Sequence, residues 1–127
     1  MKAINPINIA APASNYSQAV LVPENARRLI ISGQIGVNPD GSIAKGIEAQ
    51  MERCWLNIFA ILEDANMAKT DLVKITVFVT QSGVTGIYRD IRDRMLEGHA
   101  PAATYLVISE LATPDFLVEI EAEALGM

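Results

Sequence analysis

The most constraining stretch of this chain lies near its end. From Phe116 the residues alternate, with Phe116, Val118, Ile120 and Ala122 on one face and Leu117, Glu119, Glu121 and Glu123 on the other. A period of two specifies a strand with one buried face and one face carrying carboxylates. Just upstream, Ala112-Thr113-Pro114-Asp115 has turn chemistry: proline presets φ, and aspartate can bond the backbone two residues on. Thr104 to Ile108 is a β-branched and apolar run, so His99 to Glu123 reads as two strands joined by a turn. A strand of this kind must have its apolar face covered, and the rest of the chain has to supply that cover.

Ile47 to Ala65 supplies most of it. Apolar residues at Ile47, Met51, Cys54, Trp55, Ile58, Phe59, Ile61, Leu62 and Ala65 fall three and four apart and make one wide helical stripe. Each fully buried large side chain of such a stripe contributes about 1.5–3 kcal/mol. Cys54 lies inside the stripe and reads as a small buried hydrophobe, not a nucleophile. Asp71 to Thr80 predicts a strand, with Val73, Ile75, Val77 and Val79 on one face and Lys74, Thr76, Phe78 and Thr80 on the other. A second helix is predicted over about Val84 to Leu96, its inner face being Val84, Ile87, Tyr88, Ile91 and Met95, with Gly98 just past its end. Ala19–Val22 and Arg28–Ser32 read as a hairpin around Pro23-Glu24-Asn25-Ala26, and Asn38-Pro39-Asp40-Gly41 as a further turn. Residues 1 to 15 read as irregular, with short extended pieces.

This order of elements predicts a single α+β domain over 1–127, a mainly antiparallel sheet with two helices packed on one face. Nothing in the chain covers the other face, where Leu21, Phe78 and Leu117 would lie. A second subunit is its natural cover.

Composition narrows the function. A formal charge of −5 argues against a general nucleic-acid binder, which needs a basic footprint. No run of about 18 apolar residues exists to span a membrane. The first residues lack the long apolar region of a signal peptide, and one cysteine excludes an internal disulfide, so the cytoplasm is the expected compartment. One cysteine and one histidine cannot build a zinc site in a monomer. Gly33-x-x-Gly36 and Gly83-x-x-Gly86 are too short for a phosphate loop.

Four short blocks carry a family resemblance, in order along nearly the whole chain. They are Tyr16-Ser17-Gln18-Ala19; Ile31-Ser32-Gly33-Gln34-Ile35 followed by Asn38-Pro39-Asp40-Gly41; Pro101-Ala102-x-Thr104; and Leu111-x-x-Pro114 with Val118-Glu119-Ile120-Glu121-Ala122. Together they resemble the RidA (YjgF) family, the enamine/imine deaminases. The resemblance implies a chorismate-mutase-like fold, a homotrimer with ligand clefts between subunits, and hydrolysis without a metal or organic cofactor. Such hydrolysis protonates the enamine or imine and adds water at the C=N carbon, and a carboxyl group can move that proton.

On this resemblance Glu119 matches the family's site glutamate and is the expected catalytic group. Ser32 and Gly33 match the strand end that contacts ligand, where a missing Cβ lets the backbone approach. Tyr16 matches a tyrosine lining the same cleft. The chain also departs from the family. Members with deaminase activity carry an arginine directly after Pro-Ala, and it grips the substrate carboxylate; here Ala103 stands there. Tyr105 replaces a smaller residue and would narrow the cleft, and Arg89 stands where many members have asparagine. The expectation is a divergent hydrolase of small enamines, imines or related reactive metabolites that is not a standard 2-iminoacid deaminase. A non-catalytic small-molecule-binding or regulatory trimer is the alternative. Arg92 and Arg94 flank the inner stripe of the second helix on opposite sides, so either could reach a cleft edge, although a solvated, salt-bridged face is the plainer reading of both. His99, at the end of that helix, could assist proton transfer or simply cap carbonyls.

Overall fold

The structure is a computed structural model and describes residues 2–126. In chain order the elements are β1 (Lys2–Ile4), β2 (Ala19–Leu21), β3 (Arg27–Ile35), α1 (Ile47–Asp64), β4 (Leu72–Val79), α2 (Thr85–Met95), β5 (Ala102–Val107) and β6 (Val118–Gly126). A single 3-10 turn, Lys69–Asp71, leads into β4.

The apolar stripe forms α1 as its spacing dictates. Met51, Cys54, Trp55, Ile58 and Leu62 are buried along it. They pack on Ile31 of β3, Ile75, Val77 and Val79 of β4, and Val118, Ile120, Ala122 and Ala124 of β6. α2 lies against α1 and adds Tyr88 and Ile91 to the same core. Both helices therefore cover one face of a four-stranded sheet with the order β3-β6-β4-β5. The β3/β6 and β6/β4 ladders are antiparallel and β4/β5 is parallel. This is the expected α+β architecture, with one parallel edge created by the β4-α2-β5 crossover.

Local patterns predicted elements better than they predicted pairings. The two strands of the tail do not pair: β4 lies between β5 and β6. The segment from Ile108 to Leu117 is long enough to step across it, and β4, buried at alternate positions along its whole length, takes an inner place. The predicted hairpin of Ala19–Val22 with Arg28–Ser32 is also absent, because β2 pairs with β1 in a separate two-stranded ribbon. Two side-chain contacts hold that ribbon: Asn5 Oδ1 accepts the Gln18 N–H at 2.8 Å, and Gln18 Nε2 donates to Ala10 O at 3.0 Å. Pro23, on the connection toward β3, has no N–H to offer a ladder. Leu21 is accordingly not on the open sheet face; it sits on the ribbon, 61% exposed. Phe78 is on the open face, half-buried, in register with Glu119 and Leu106.

On α2 the inner face is rotated from its prediction. Ile87 is 37% exposed, whereas Arg92, on the other flank of Tyr88 and Ile91, is buried. Gly98 does take the left-handed conformation expected past the helix, at φ 84°.

One fastener fixes where β6 starts. Gln50, 2% exposed at the start of α1, donates from Nε2 to Ala44 O and Asp115 O and accepts the Leu117 N–H at 2.9 Å. Its full complement of partners explains a buried amide at that position. Gly36 packs directly beneath: a Cβ there would come within 2.5 Å of the Gln50 Cβ and 2.7 Å of its Cα. The end of β3, the start of α1 and the entry to β6 are thereby locked together, two residues before Glu119.

Candidate functional site

Glu119 stands on the open face of β6, opposite Ile35 on one side and Phe78 on the other. The β3/β6 ladder shifts register between Ile31 and Gln34, and Gly33 sits in that irregularity. A Cβ on Gly33 would lie 2.2 Å from Glu119 Oε2 and 2.7 Å from its Cδ. The Glu119 side chain thus lies over a residue that has no side chain, and the position it takes exists only for that reason. Among the described residues no protein group hydrogen-bonds or ion-pairs with the Glu119 carboxylate. Ser32 is exposed beside it, its carbonyl accepting from Gln34 Nε2 at 3.0 Å. Glu121 is exposed on the same face, and Glu123 makes a surface pair with Arg28 at 3.0 Å. Such exposed pairs contribute about 1 kcal/mol or less.

The other candidate residues gather elsewhere. A cavity of about 270 Å³ is lined by Tyr16, Tyr88, Arg89, Arg92, Ala103 and Tyr105, among others. Hydrogen bonds between sequence blocks 83–84 residues apart build it: Ser17 N donates to Pro101 O at 3.1 Å, Ser17 Oγ to Ala100 O at 2.5 Å, and Asn15 Nδ2 to Gly98 O at 3.0 Å. These pin the N-terminal segment along the start of β5 and set Tyr16 at the cavity, where its Oη accepts the Ala13 N–H at 3.3 Å. Ala103 and Tyr105 face the helices, in register with Ile75 and Val77. Glu119 and Gly33 lie on the opposite face, so a single chain does not bring the two groups of residues into one cavity.

Within the cavity wall the polar chemistry is concentrated on α2. Arg92 is 4% exposed, and its Nε donates to Asp93 Oδ1 at 2.9 Å. Its Nη2 lies 2.9 Å from the same oxygen without a directed hydrogen bond of its own, so the guanidinium charge is already paired with Asp93. The Arg92 guanidinium carbon is 5.7 Å from the centre of the Tyr88 ring, and the Tyr88 and Tyr105 rings are 5.2 Å apart. The Tyr88 and Tyr105 hydroxyls and Arg92 Nη2 are all buried without a hydrogen-bond partner. Burial pushes the Tyr88 phenol well above its ordinary range, against the opposing effect of Arg92, so it stays an O–H donor. Tyr88 reads in the sequence as one more core residue. The signal that could have found it is a phenol on an apolar stripe four residues before an arginine.

Arg94 and His99 resolve as structural, and Cys54 is the buried core residue its place in the stripe predicts. Arg94 is spent at the surface on Glu52, at 2.6 Å. His99 Nε2 lies 2.7 Å from Leu72 O and must carry the proton, because a carbonyl only accepts. Cys54 is buried, and desolvation, with the Glu119 charge adding to it, pushes its thiol up from 9.0 to about 12. In the unfolded chain that thiol ionises first, so between pH 9.0 and about 12 the unfolded state binds fewer protons and stability falls as pH rises. Cys54→Ala is expected to flatten this alkaline loss, measured as Cm against pH, relative to the parent chain. Among the described residues no three His, Cys, Asp or Glu side chains are grouped to hold a metal ion, and no helix is long and apolar enough to cross a membrane.

A four-stranded sheet backed by two helices, with a glutamate laid over a strand glycine and a cavity at the β5 edge, defines a recognisable class. The sequence profile of the family described as "Endoribonuclease L-PSP" matches residues 7–125. The RutC family protein PYRAB12510 of Pyrococcus abyssi is 34% identical over 115 residues, 89% of this chain and 87% of that protein. The Rid-family protein YyfB of Yersinia pestis superposes with a TM-score of 0.84 at 27% identity, covering 98% of this chain and 97% of that one. TdcF of E. coli with bound serine superposes at 0.74, with 26% identity over the full length of both chains. The chain belongs to the RidA/YjgF family.

Proposed function

We propose that this protein is a cofactor-free hydrolase of small enamines, imines or related reactive metabolites, from a divergent subgroup of its family. It acts in the cytoplasm, at a cleft between copies of the chain in a homotrimer. The observation that carries the reading is the Gly33–Glu119 contact, which reserves a place for an unpaired carboxylate on the sheet face that the helices leave bare. The division of the candidate residues supports assembly. Glu119, Ser32 and Gly33 are on one face, while Tyr16, Ala103, Tyr105, Arg89 and Arg92 are at the far edge, and a neighbouring copy is the economical way to join them. Exposed Ile30 and Leu106, with half-buried Phe78, give the bare face apolar surface to bury in such a contact.

In the proposed reaction Glu119 delivers a proton to the enamine or imine and orients the water that adds to the C=N carbon; collapse of the adduct releases ammonia. Backbone at Ser32 and Gly33 holds the ligand. A relative whose structure contains bound serine supports a small polar ligand of amino-acid size. Ala103 supplies no charge, so simple 2-iminoacids are expected to be poor substrates. The family description also carries a ribonuclease name, but three carboxylates on β6 and a net charge of −5 are unsuited to a phosphate backbone.

The test is ammonia release from freshly generated iminopropionate and iminobutyrate beside a panel of neutral imines. Turnover of some neutral or unusual imine with weak 2-iminoacid activity is the expected result. Ready turnover of both 2-iminoacids would show that Ala103 has been given too much weight. Ligands that raise Tm but are never turned over would favour the binding-protein alternative, which the alanine at 103 itself suggests.

A further inference from the structure

We infer that Gln50 and Asn57, two side-chain amides on α1, are positioning residues for Glu119. From the covered side of the sheet they fix the register that lays its carboxylate over Gly33 on the bare side. That the positioned carboxylate moves a proton rests on the reading above; the effect on register does not.

The need arises in the β3/β6 ladder. Before its irregularity the ladder runs for five pairs, from Arg27 with Gly126 to Ile31 with Ala122. Beyond it there are two, Gln34 with Ile120 and Ile35 with Glu119. Three steps along β3 answer two along β6 between these stretches, so β3 carries one extra residue. Two pairs supply few hydrogen bonds, each of modest net value, with which to hold a register. β6 is braced on its other edge, where Val77, Phe78 and Val79 pair with Ile120, Glu119 and Val118. The end of β3 is the part that needs a hold. A slip of one residue there would bring a different residue beneath Glu119, and Gly33 is the only glycine of the strand.

α1 supplies that hold. Gln50 and Asn57 are seven residues apart, two helical turns, and so share one side of the helix. Asn57 Nδ2 donates to Ile35 O at 3.2 Å and to Val37 O at 3.3 Å, gripping β3 at the pairing partner of Glu119. Arg53 Nε donates to Asn57 Oδ1 at 2.9 Å, which sets the end of the amide that meets the strand. Gln50 grips the other strand: its Oε1 accepts the Leu117 N–H at 2.9 Å, two residues before Glu119. Its Nε2 donates to Asp115 O at 2.9 Å and Ala44 O at 3.1 Å. Ala44 N in turn donates to Gly36 O at 2.8 Å, so the two grips are joined through the β3–α1 connection as well as through the helix. Apolar packing is non-directional and tolerates sliding, whereas a hydrogen bond to one backbone atom specifies a register.

Placement and chemistry can be read separately in the full chain. Glu119 Cγ stands 2.9 Å from where a Gly33 Cβ would be, so a nuclear Overhauser contact between the Gly33 α-protons and the Glu119 γ-protons reports placement without substrate. kcat and KM on the imine that the ammonia assay identifies report its use. Asn57→Asp keeps the shape and the bond from Arg53 but has no N–H to give. Gln50→Met keeps the length and loses every bond. Each is expected to lose the proton contact and to lower kcat about 10- to 100-fold with KM within about threefold. Leu62→Val thins the core from the same helix, and is expected to lower Tm while keeping both the contact and kcat. If Gln50→Met does not fold, Asn57→Asp alone decides. A contact of parental strength in the folded variants, a lowered kcat with the contact intact, or the same losses in Leu62→Val would each overturn the proposal. Loss of the contact with kcat unchanged, or with no imine turned over by the parent, would remove only the hydrolytic role of Glu119.

Discussion

Gly33→Ala is expected to lower kcat about 100-fold or more on whichever imine the ammonia assay identifies, while leaving Tm within a few degrees of the parent. The physical reason is the identity of the atoms that the new methyl meets. At 2.2 Å from Glu119 Oε2 and 2.7 Å from Cδ, the methyl cannot coexist with the carboxylate where it now lies. Those atoms are the free end of a long side chain on a half-open face, so the side chain swings away and the backbone stays. The fold keeps its core, and the carboxylate loses its place. Glu119→Gln keeps the shape and removes the proton-transfer group, and is expected to cost about 10²–10⁴ in kcat. The two variants should therefore fail alike in kcat and be alike in stability. Gly36→Ala is the control, because its methyl would meet Gln50 Cα, helix backbone that cannot swing, at 2.7 Å. That variant is expected to lose about 1–3 kcal/mol of stability. Unchanged kcat in both Gly33→Ala and Glu119→Gln would separate Glu119 from the chemistry altogether.

The contrast between these glycines also shows what the sequence disclosed. Elements with their own period were legible: α1 ends one residue from its predicted boundary, and the alternation from Val118 to Glu123 places Ile120 inside and Glu119 outside as read. Their partners were not, because a period of two says which face a residue takes and nothing about which strand lies beside it. Hence the missing β2/β3 hairpin and the insertion of β4 between β5 and β6. The candidate residues were named largely through four short blocks, and the structure gathers them in two groups rather than one. Arg92 was named as able to reach a cleft edge, but a solvated face was the plainer reading of it. A charged residue flanking an amphipathic stripe is usually solvated, and only the rotation of α2 that exposes Ile87 turns it inward.

Trp55→Ala should be the most destabilising single change, costing about 3–5 kcal/mol, a large part of the roughly 5–15 kcal/mol available to a small domain. Trp55 is fully buried at the centre of α1, its ring stacked on Phe59 with centroids 6.3 Å apart. α1 packs on both β3 and β6, so the cavity left behind undermines the two strands that carry Gly33 and Glu119. The indole also brings an opposing term, since its Nε1–H is buried with no acceptor. Trp55→Phe removes that orphan along with part of the volume, and its net cost should be nearer 1 kcal/mol, because relief of the unsatisfied donor offsets lost packing. Urea denaturation checks both, followed by far-UV circular dichroism because Trp55 is the only tryptophan. Cm should fall at unchanged m in each variant. Equal losses for alanine and phenylalanine would mean that the indole's size, and not its burial, holds α1 in register. If the chain works as an assembly, the Cm of the parent and of Trp55→Phe should also rise with protein concentration, because association stabilises only the folded state. A Cm independent of concentration would leave Glu119 on an open sheet face, and the proposed cleft would lose its second wall.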